Sequence, residues 1–295
     1  VRPFGTFPMP STIPPLPQVL YEPLVRLALE EDLGRAGDIT TDAIVEAGDK
    51  SSARFVARQN GVIAGLDVAA LTFALLDTDT KFDKAVSDGA PVTPGDLIAT
   101  VTGATRTLLM GERTALNFLG RLSGVATATA EMVSAVSAHD TDIVCTRKTT
   151  PGHRILEKYA VRIGGGINHR FGLDDAMLIK DNHVIAAGGI IPALQRARAA
   201  AGHLVKIEIE VDTLDQLDEV LSLHPNGADV VMLDNFSAAD IKKAAKRIDG
   251  RLRTEISGGV TLASVAELAA AGADLISSGA LTHSVKTLDI GLDFD

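Results

Sequence analysis

From about residue 140 onward, short β-branched runs alternate with stretches of helical spacing: "DIVCT", "AMLIK", "VKIEIEV", "DVVML", "RTEIS" and "DLISSG". A strand followed by a helix and another strand returns the chain to the same end of the sheet. The strands are therefore parallel and the crossovers right-handed. Six or seven such units favour a sheet curled into a barrel. A seventh strand is available in "AVRIGGG".

The preceding part has a different grammar. "VLYEPLVRLALEEDLG" has the apolar spacing of a helix that stops at Gly34, and "GDITTDAI" offers Asp38 and Thr40 as cap or turn residues. "SARFVARQNGVIAG" reads as two strands joined by an Asn-Gly turn, and "DGAPVTPGDLIATVTG" has the punctuation of a small sheet. "TRTLLMGERTALNFLGRLSGVATATAEMVSAV" is a helical bridge. The expected architecture is α/β: an extended, proline-bearing arm over residues 1–17, an α+β sandwich domain over 18–120, and an incomplete parallel α/β barrel of about seven strands over 121–283. The segment 284–295 holds "LDIGLDF", too short for another βα unit, and is expected to return to the first domain.

Composition excludes several function classes. The single cysteine, Cys145, rules out a disulfide framework within the chain and fits a reducing, cytoplasmic compartment. No apolar run approaches the ~20 residues that span a bilayer, and "VRPFGTFPMPSTIPPLP" lacks the apolar core of a signal peptide. A net charge of −10, two tyrosines and no tryptophan argue against a nucleic-acid surface.

Against that acidity, residues 145–180 gather seven lysines and arginines with only three acids. Arg154, Lys158 and Arg162 recur at i, i+4 and i+8, a solvated helix face opposite Ile155, Leu156, Tyr159 and Ile163. Arg147, Lys148, His169, Arg170 and Lys180 do not fit that stripe. They fall at strand ends or beside the run Gly164 to Gly166, where separate segments are expected to converge on one anionic ligand, the alternative being scattered surface charge. The three glycines serve either close backbone approach to a ligand or a tight turn.

Other strand ends carry Asp234 and Asn235, Ser257-Gly258-Gly259, and Gly279. The glycines after "RTEI" and "LISS" suit phosphate capture by backbone amides near a helix N-terminus, and turn geometry explains them equally well. In "VKIEIEV", Val205, Ile207, Ile209 and Val211 share one face, leaving Lys206, Glu208 and Glu210 on the other. A parallel sheet is covered on both faces, so these charges need partners, metal or substrate. Glu210, nearest the strand's end, is the leading functional candidate, Glu208 is evenly balanced between function and structure, and Lys206 is available to neutralise one of them. Neither a P-loop nor a dinucleotide fingerprint is present, and one cysteine supports no structural zinc site.

With these residues placed, the sequence resembles the quinolinate phosphoribosyltransferases, decarboxylating enzymes of NAD synthesis. The likeness rests on "EDLGRAGDITT", "GVIAGLD", "ERTALNFLGRLSG", "TRKTTPGHRILEKYAVRIGGGINHR", "MLIKDNH", "EIEVD", "MLDN" and "SGG", in family order. It implies a sandwich domain followed by an incomplete seven-stranded barrel, assembled as a homodimer or a higher oligomer. It further implies that Arg147, Lys148, His169, Arg170 and Lys180 hold the carboxylates of quinolinate, with Arg113 donated by the neighbouring chain. Glu210 and Asp234 would meet the ribose and Mg²⁺ of phosphoribosyl pyrophosphate. Ser257, Gly258, Gly259 and Gly279 would receive its 5′-phosphate, with His283 near that group. Lys148, Lys180, Glu210 and Asp234 are the expected catalytic set. The chain departs from the usual block at His153, commonly leucine, Ile163, commonly cysteine, and Gly120, often glutamine. Three rival readings are a phosphoribosyltransferase acting on another base without decarboxylation, a silent anion-binding protein, and an RNA binder through residues 145–180. Release of CO₂ from quinolinate separates the first, carboxylates beside the cations count against the second, and salt-dependent RNA affinity tests the third.

Overall fold

The helical spacing of the first segment becomes α1 (Glu22–Leu33), opened by Pro23 in its first turn and closed by Gly34 at φ 55°. Asp38 then caps α2 (Ile39–Ile44), accepting from the backbone N–H groups of Thr40 and Thr41 at 3.1 and 3.0 Å. The computed structural model describes residues 13–294; residues 1–12 of the expected N-terminal arm lie outside the described residues. The described chain forms two units, one of residues 13–130, 149–165 and 281–294, the other of residues 131–148 and 166–280.

The first unit is built on an antiparallel sheet. Its elements are β1 (Lys50–Ala57), β2 (Gly61–Val62), α3 (Leu66–Leu76), β3 (Lys81–Lys84), β4 (Pro91–Val92), β5 (Leu97–Ala104) and the long α4 (Thr105–Val136). The C-terminal strand Ile290–Phe294 pairs with one edge of β1, and β5 pairs with the other before continuing to β3. Ala53, Phe55 and Ala57 alternate into a core shared with Leu66, Phe73, Ile98 and Leu108. Phe55 and Phe73 meet edge to face at 6.1 Å. Burying a side chain such as Phe55 stabilises by roughly 1.5–3 kcal/mol.

Three details differ from the sequence expectation. The Asn-Gly hairpin does not form, because both edges of β1 are taken and β2 pairs with β4 in a separate sheet. Gly61 is not in the left-handed region that a tight hairpin turn requires. It is small for another reason: a Cβ there would run into the Leu288 side chain. Gly120 on α4 likewise admits the returning chain, since a Cβ would lie 2.8 Å from Thr287 Cγ2, and the Gly120 carbonyl accepts from Leu288 N–H at 3.0 Å.

The second difference concerns α5 (Arg154–Ile163), whose charged stripe is not a solvated face. Lys158 is only 2 % exposed, Glu157 is fully buried, and Arg154 and Arg162 are half-buried. Arg121 on α4 pairs with Glu157 at 2.7 Å, so α5 is covered on its charged side as well as its apolar one. Third, "AVRIGGG" is not a strand. Its first four residues complete α5, Gly164 sits where a Cβ would strike Thr129 of α4, and Gly165 turns the chain at φ 87°. The glycine run thus serves packing and exit from the helix.

The second unit is the parallel α/β part. Its elements are β6 (Asp142–Val144), β7 (Met177–Ile179), α6 (Asp181–Ala187), α7 (Ile190–Ala200), β8 (Ile207–Val211), α8 (Leu214–Ser222), β9 (Val230–Asp234), α9 (Ala238–Ile248), β10 (Arg253–Ser257), α10 (Val265–Ala270) and β11 (Leu275–Ser277). The chain then continues through α11 (Ala280–His283) to the C-terminal strand, β12. Six parallel strands pair in the order β6-β11-β10-β9-β8-β7. In place of a seventh strand there is one parallel bridge, Ile167 on Val144, beyond β6. The class is the expected α/β one, with the sheet left unclosed between β7 and that bridge. Thr213 and Ser237 cap α8 and α9 by accepting from Gln216 and Asp240 N–H, which fixes where each loop after β8 and β9 ends. Among the described residues no helix is long and apolar enough to cross a membrane.

Candidate active site

Strands of a parallel sheet all end on one side, so the residues that follow them gather there. A cavity of about 590 Å³ opens at this end of the second unit. Arg147 and Lys148 reach it from the loop after β6, His169 and Arg170 from the segment after the Ile167 bridge, and Lys180 from the end of β7. Glu210 on β8 and Asp234 on β9 line the same space, as do Ser257, Gly258 and Gly259 after β10. Gly279 follows β11 in the same unit but is not among the lining residues. Arg113, exposed on α4, and His283, exposed at the end of α11, belong to the first unit.

The charges are arranged, not merely collected. Lys180 Nζ lies 2.7 Å from Glu210 Oε2. Burial, then the neighbouring Arg147, pulls Arg170 below the ordinary arginine value. Asp234 is pushed upward by burial first and then by Glu210 and Asp212, with Lys180 and Lys148 pulling the other way. Candidate ligand atoms of Glu210, Asp212 and Asp234 all lie within 4.8 Å of one another. Three hard oxygen donors in mutual repulsion fit Mg²⁺ better than a softer metal.

Lys206 does not neutralise the acids of its own strand. It is largely exposed and pairs with Asp229 at 3.0 Å, because the strand's opening residue lies at the far end of the sheet. The helix after Ser257-Gly258-Gly259 begins only at Val265, so these glycines do not sit on a helix N-terminus. Gly258 and Gly259 adopt φ 93° and 60° and turn consecutive backbone amides in a left-handed loop, the kind of concavity that receives anions. A Cβ on Gly258 would collide with the Asn235 side chain. Asn235, itself at φ 56°, donates its backbone N–H to the Ser257 carbonyl at 3.0 Å and its side-chain amide to Asp234 at 2.7 Å. It ties the end of β9 to the end of β10.

His169 has both ring nitrogens engaged. Nδ1 accepts the Arg170 backbone N–H at 2.7 Å, and Nε2 faces Glu208 Oε2 at 2.9 Å. As placed, the imidazole links the Arg170 backbone to Glu208 across the strand ends. Behind it stands Glu255, which lines the cavity and went unselected in the sequence. The signal was there: "RTEIS" puts one acid inside a buried parallel strand, the same anomaly that singled out "VKIEIEV".

The chain is similar to known proteins over most of its length. Residues 38–123 match the quinolinate phosphoribosyl transferase N-terminal domain, and residues 125–293 match its C-terminal domain. The nicotinate-nucleotide pyrophosphorylase [carboxylating] of Mycobacterium leprae is 48 % identical over 277 residues, covering 91 % of this chain and 95 % of that protein. A probable enzyme of the same name from Bacillus subtilis is 46 % identical over 264 residues, covering 89 % of each. A crystal structure of NadC from Streptococcus pyogenes superposes with a TM-score of 0.91 at 39 % identity, over 96 % of this chain and 100 % of that one. Both halves of the chain, matched in order and at this identity, make it a member of the quinolinate phosphoribosyltransferase family.

Proposed function

We propose that the chain transfers the phosphoribosyl group of phosphoribosyl pyrophosphate to quinolinate with loss of one carboxylate, giving nicotinate mononucleotide, CO₂ and pyrophosphate in NAD synthesis. One observation carries the reading: Arg147, Lys148, Arg170 and Lys180 share a cavity with Glu210 and Asp234. Two polyanionic substrates need cations, and a sugar that develops positive charge needs carboxylates. Each charge-assisted hydrogen bond to a quinolinate carboxylate contributes roughly 1.5–3 kcal/mol. Lys180 and Glu210 face each other at 2.7 Å, so a carboxylate received by one and a ribose hydroxyl received by the other stand side by side.

In this reading the quinolinate ring nitrogen attacks the anomeric carbon as the bond to pyrophosphate breaks. Glu210 and Asp234 stabilise the oxocarbenium character of the ribose electrostatically. Mg²⁺ held by Glu210, Asp212 and Asp234 offsets the charge of the pyrophosphate when bound. The loop Ser257-Gly258-Gly259, with Gly279, receives the 5′-phosphate through backbone amides. Once the nitrogen carries the sugar, its positive charge stabilises the electron pair that stays on C2 as CO₂ departs. Lys148 or Lys180 then delivers a proton to C2, and no covalent enzyme intermediate is needed.

The assembly is a cytoplasmic homodimer in which Arg113 serves the neighbour's site, a role that suits its exposed place on α4. Incubation with quinolinate, phosphoribosyl pyrophosphate and Mg²⁺ is expected to yield nicotinate mononucleotide and one CO₂ per turnover; absence of both products sinks the reading. Mixing inactive Arg113→Ala and Arg147→Ala chains is expected to restore activity, since one site in a mixed dimer is then intact. Failure to restore it removes the shared-site dimer.

A further inference from the structure

Beneath the cavity, the inward faces of alternate strands bring two acids together. Glu208 on β8 and Glu255 on β10 are 7 % and 2 % exposed, and candidate ligand atoms of both carboxyls and of His169 lie within 4.8 Å of one another. His169 Nε2 is 2.9 Å from Glu208 Oε2 and 3.8 Å from Glu255 Oε1. Glu208 Oε1 and Glu255 Oε1 are buried without a hydrogen-bond partner. The group therefore has more acceptors than donors.

Two things can relieve such a shortage, a cation or a proton, and the spacing alone suits either. The hydrogen bond at the far side of the ring decides between them. Arg170 N–H donates to His169 Nδ1 at 2.7 Å, so Nδ1 presents its lone pair there. In the neutral ring the hydrogen is then on Nε2, which donates to Glu208 and has no lone pair for a metal. The shortage is met by a proton on a carboxyl. Burial first, and then the charge of Glu208, raises Glu255 to about 8, which makes it the one that holds the proton.

We propose that Glu255 acts as a neutral acid and a positioning residue for quinolinate: it keeps Glu208 in place to accept Nε2–H of His169, whose Nδ1 in turn fixes the Arg170 backbone. The proposal rests on the quinolinate reading of the site above. Two ionised carboxylates so close would repel, turn the imidazole and release Arg170. With Glu255 neutral, one negative charge remains beneath two arginines, and the ring has a single orientation.

The test compares Glu255→Gln, which keeps a neutral hydrogen-bond donor, with Glu255→Ala, which removes it. Glu255→Ala is expected to raise the quinolinate KM about tenfold, with the KM for phosphoribosyl pyrophosphate unchanged, while Glu255→Gln stays within about twofold of the parent. Long-range ¹H–¹⁵N spectra of histidine-labelled protein, with His169→Gln used to assign the signal, are expected to show the Nε2–H tautomer in the parent and in Glu255→Gln. An Nδ1–H or doubly protonated His169 in the parent overturns the proposal. So does a Glu255→Gln enzyme as impaired as Glu255→Ala, or an unchanged quinolinate KM in Glu255→Ala. Should Glu255→Ala not fold, the Gln variant and the spectra decide. If the parent makes no product from quinolinate, the function assignment fails on its own, and the tautomer still tests the network.

Discussion

Glu157 in the first unit and Glu255 in the second are both buried carboxyl groups, and their surroundings are opposite in kind. Glu157 accepts from Arg121 at 2.7 Å, from the Thr150 hydroxyl at 2.8 Å and from Thr150 N–H at 3.0 Å, and the same guanidinium also donates to the Thr282 carbonyl. Every acceptor there has a donor, and the charge is matched. Glu255 has another carboxylate for its neighbour, the His169 imidazole at 3.8 Å, and an oxygen without a partner. The first arrangement closes on itself and holds chain segments together. The second stays unbalanced because it borders a cavity whose cations await anions. A buried charge indicates function when its local hydrogen bonding is incomplete, and structure when it is complete.

The contrast breaks most visibly at Glu157. Its replacement by alanine strands the Arg121 guanidinium and frees Thr150, and is expected to destabilise the fold by about 3 kcal/mol in urea denaturation. A loss below about 1 kcal/mol would mean that the pair is no more than a surface contact. Lys180→Ala should do the reverse, raising the quinolinate KM about thirtyfold, near 2 kcal/mol, while the melting temperature barely moves. Unchanged kinetics would remove Lys180 from the site.

A smaller effect is expected at Gly258, where alanine adds a Cβ against Asn235 at φ 93°. The strain of about 1–2 kcal/mol should appear mainly as a weaker affinity for phosphoribosyl pyrophosphate, measured by calorimetry, with quinolinate binding little changed. The mildest expectation concerns pH. Because burial raises Glu255 to about 8, the folded chain keeps a proton that the unfolded chain releases at lower pH. Stability from this group is full below the ordinary carboxyl range and is lost as pH rises toward 8. Glu255→Gln removes the dependence, so its stability relative to the parent should increase between about pH 5 and pH 8. Parallel stability curves would show that Glu255 is ionised in the folded protein.

The parallel class, the cap at Asp38, the stop at Gly34 and the cationic strand ends are all legible in the sequence, because each follows from local spacing or one residue's backbone preference. Pairing is another matter. The Asn-Gly dipeptide suggests a hairpin, but β1 has no edge to give it, since one edge is claimed by residues more than 230 positions away. Periodicity tells which side of α5 is apolar and not whether its charged side is also covered, so Lys158 reads as solvated while it is buried. Glu255 shows how one acid in a strand escapes notice where two in alternation do not. The consecutive left-handed glycines are visible as glycines, yet only Asn235 explains why the first of them tolerates nothing larger.

The pairing of β12 with β1 also bears on how the chain is made. Every barrel strand leaves the ribosome before the strand that completes the first sheet. Throughout that interval β1 offers an open row of amides and carbonyls, the template on which nascent chains stick to one another. Residues 290–294 close that row last, and the shallow track that Gly120 and Gly61 leave for Leu288 seats the segment leading to them.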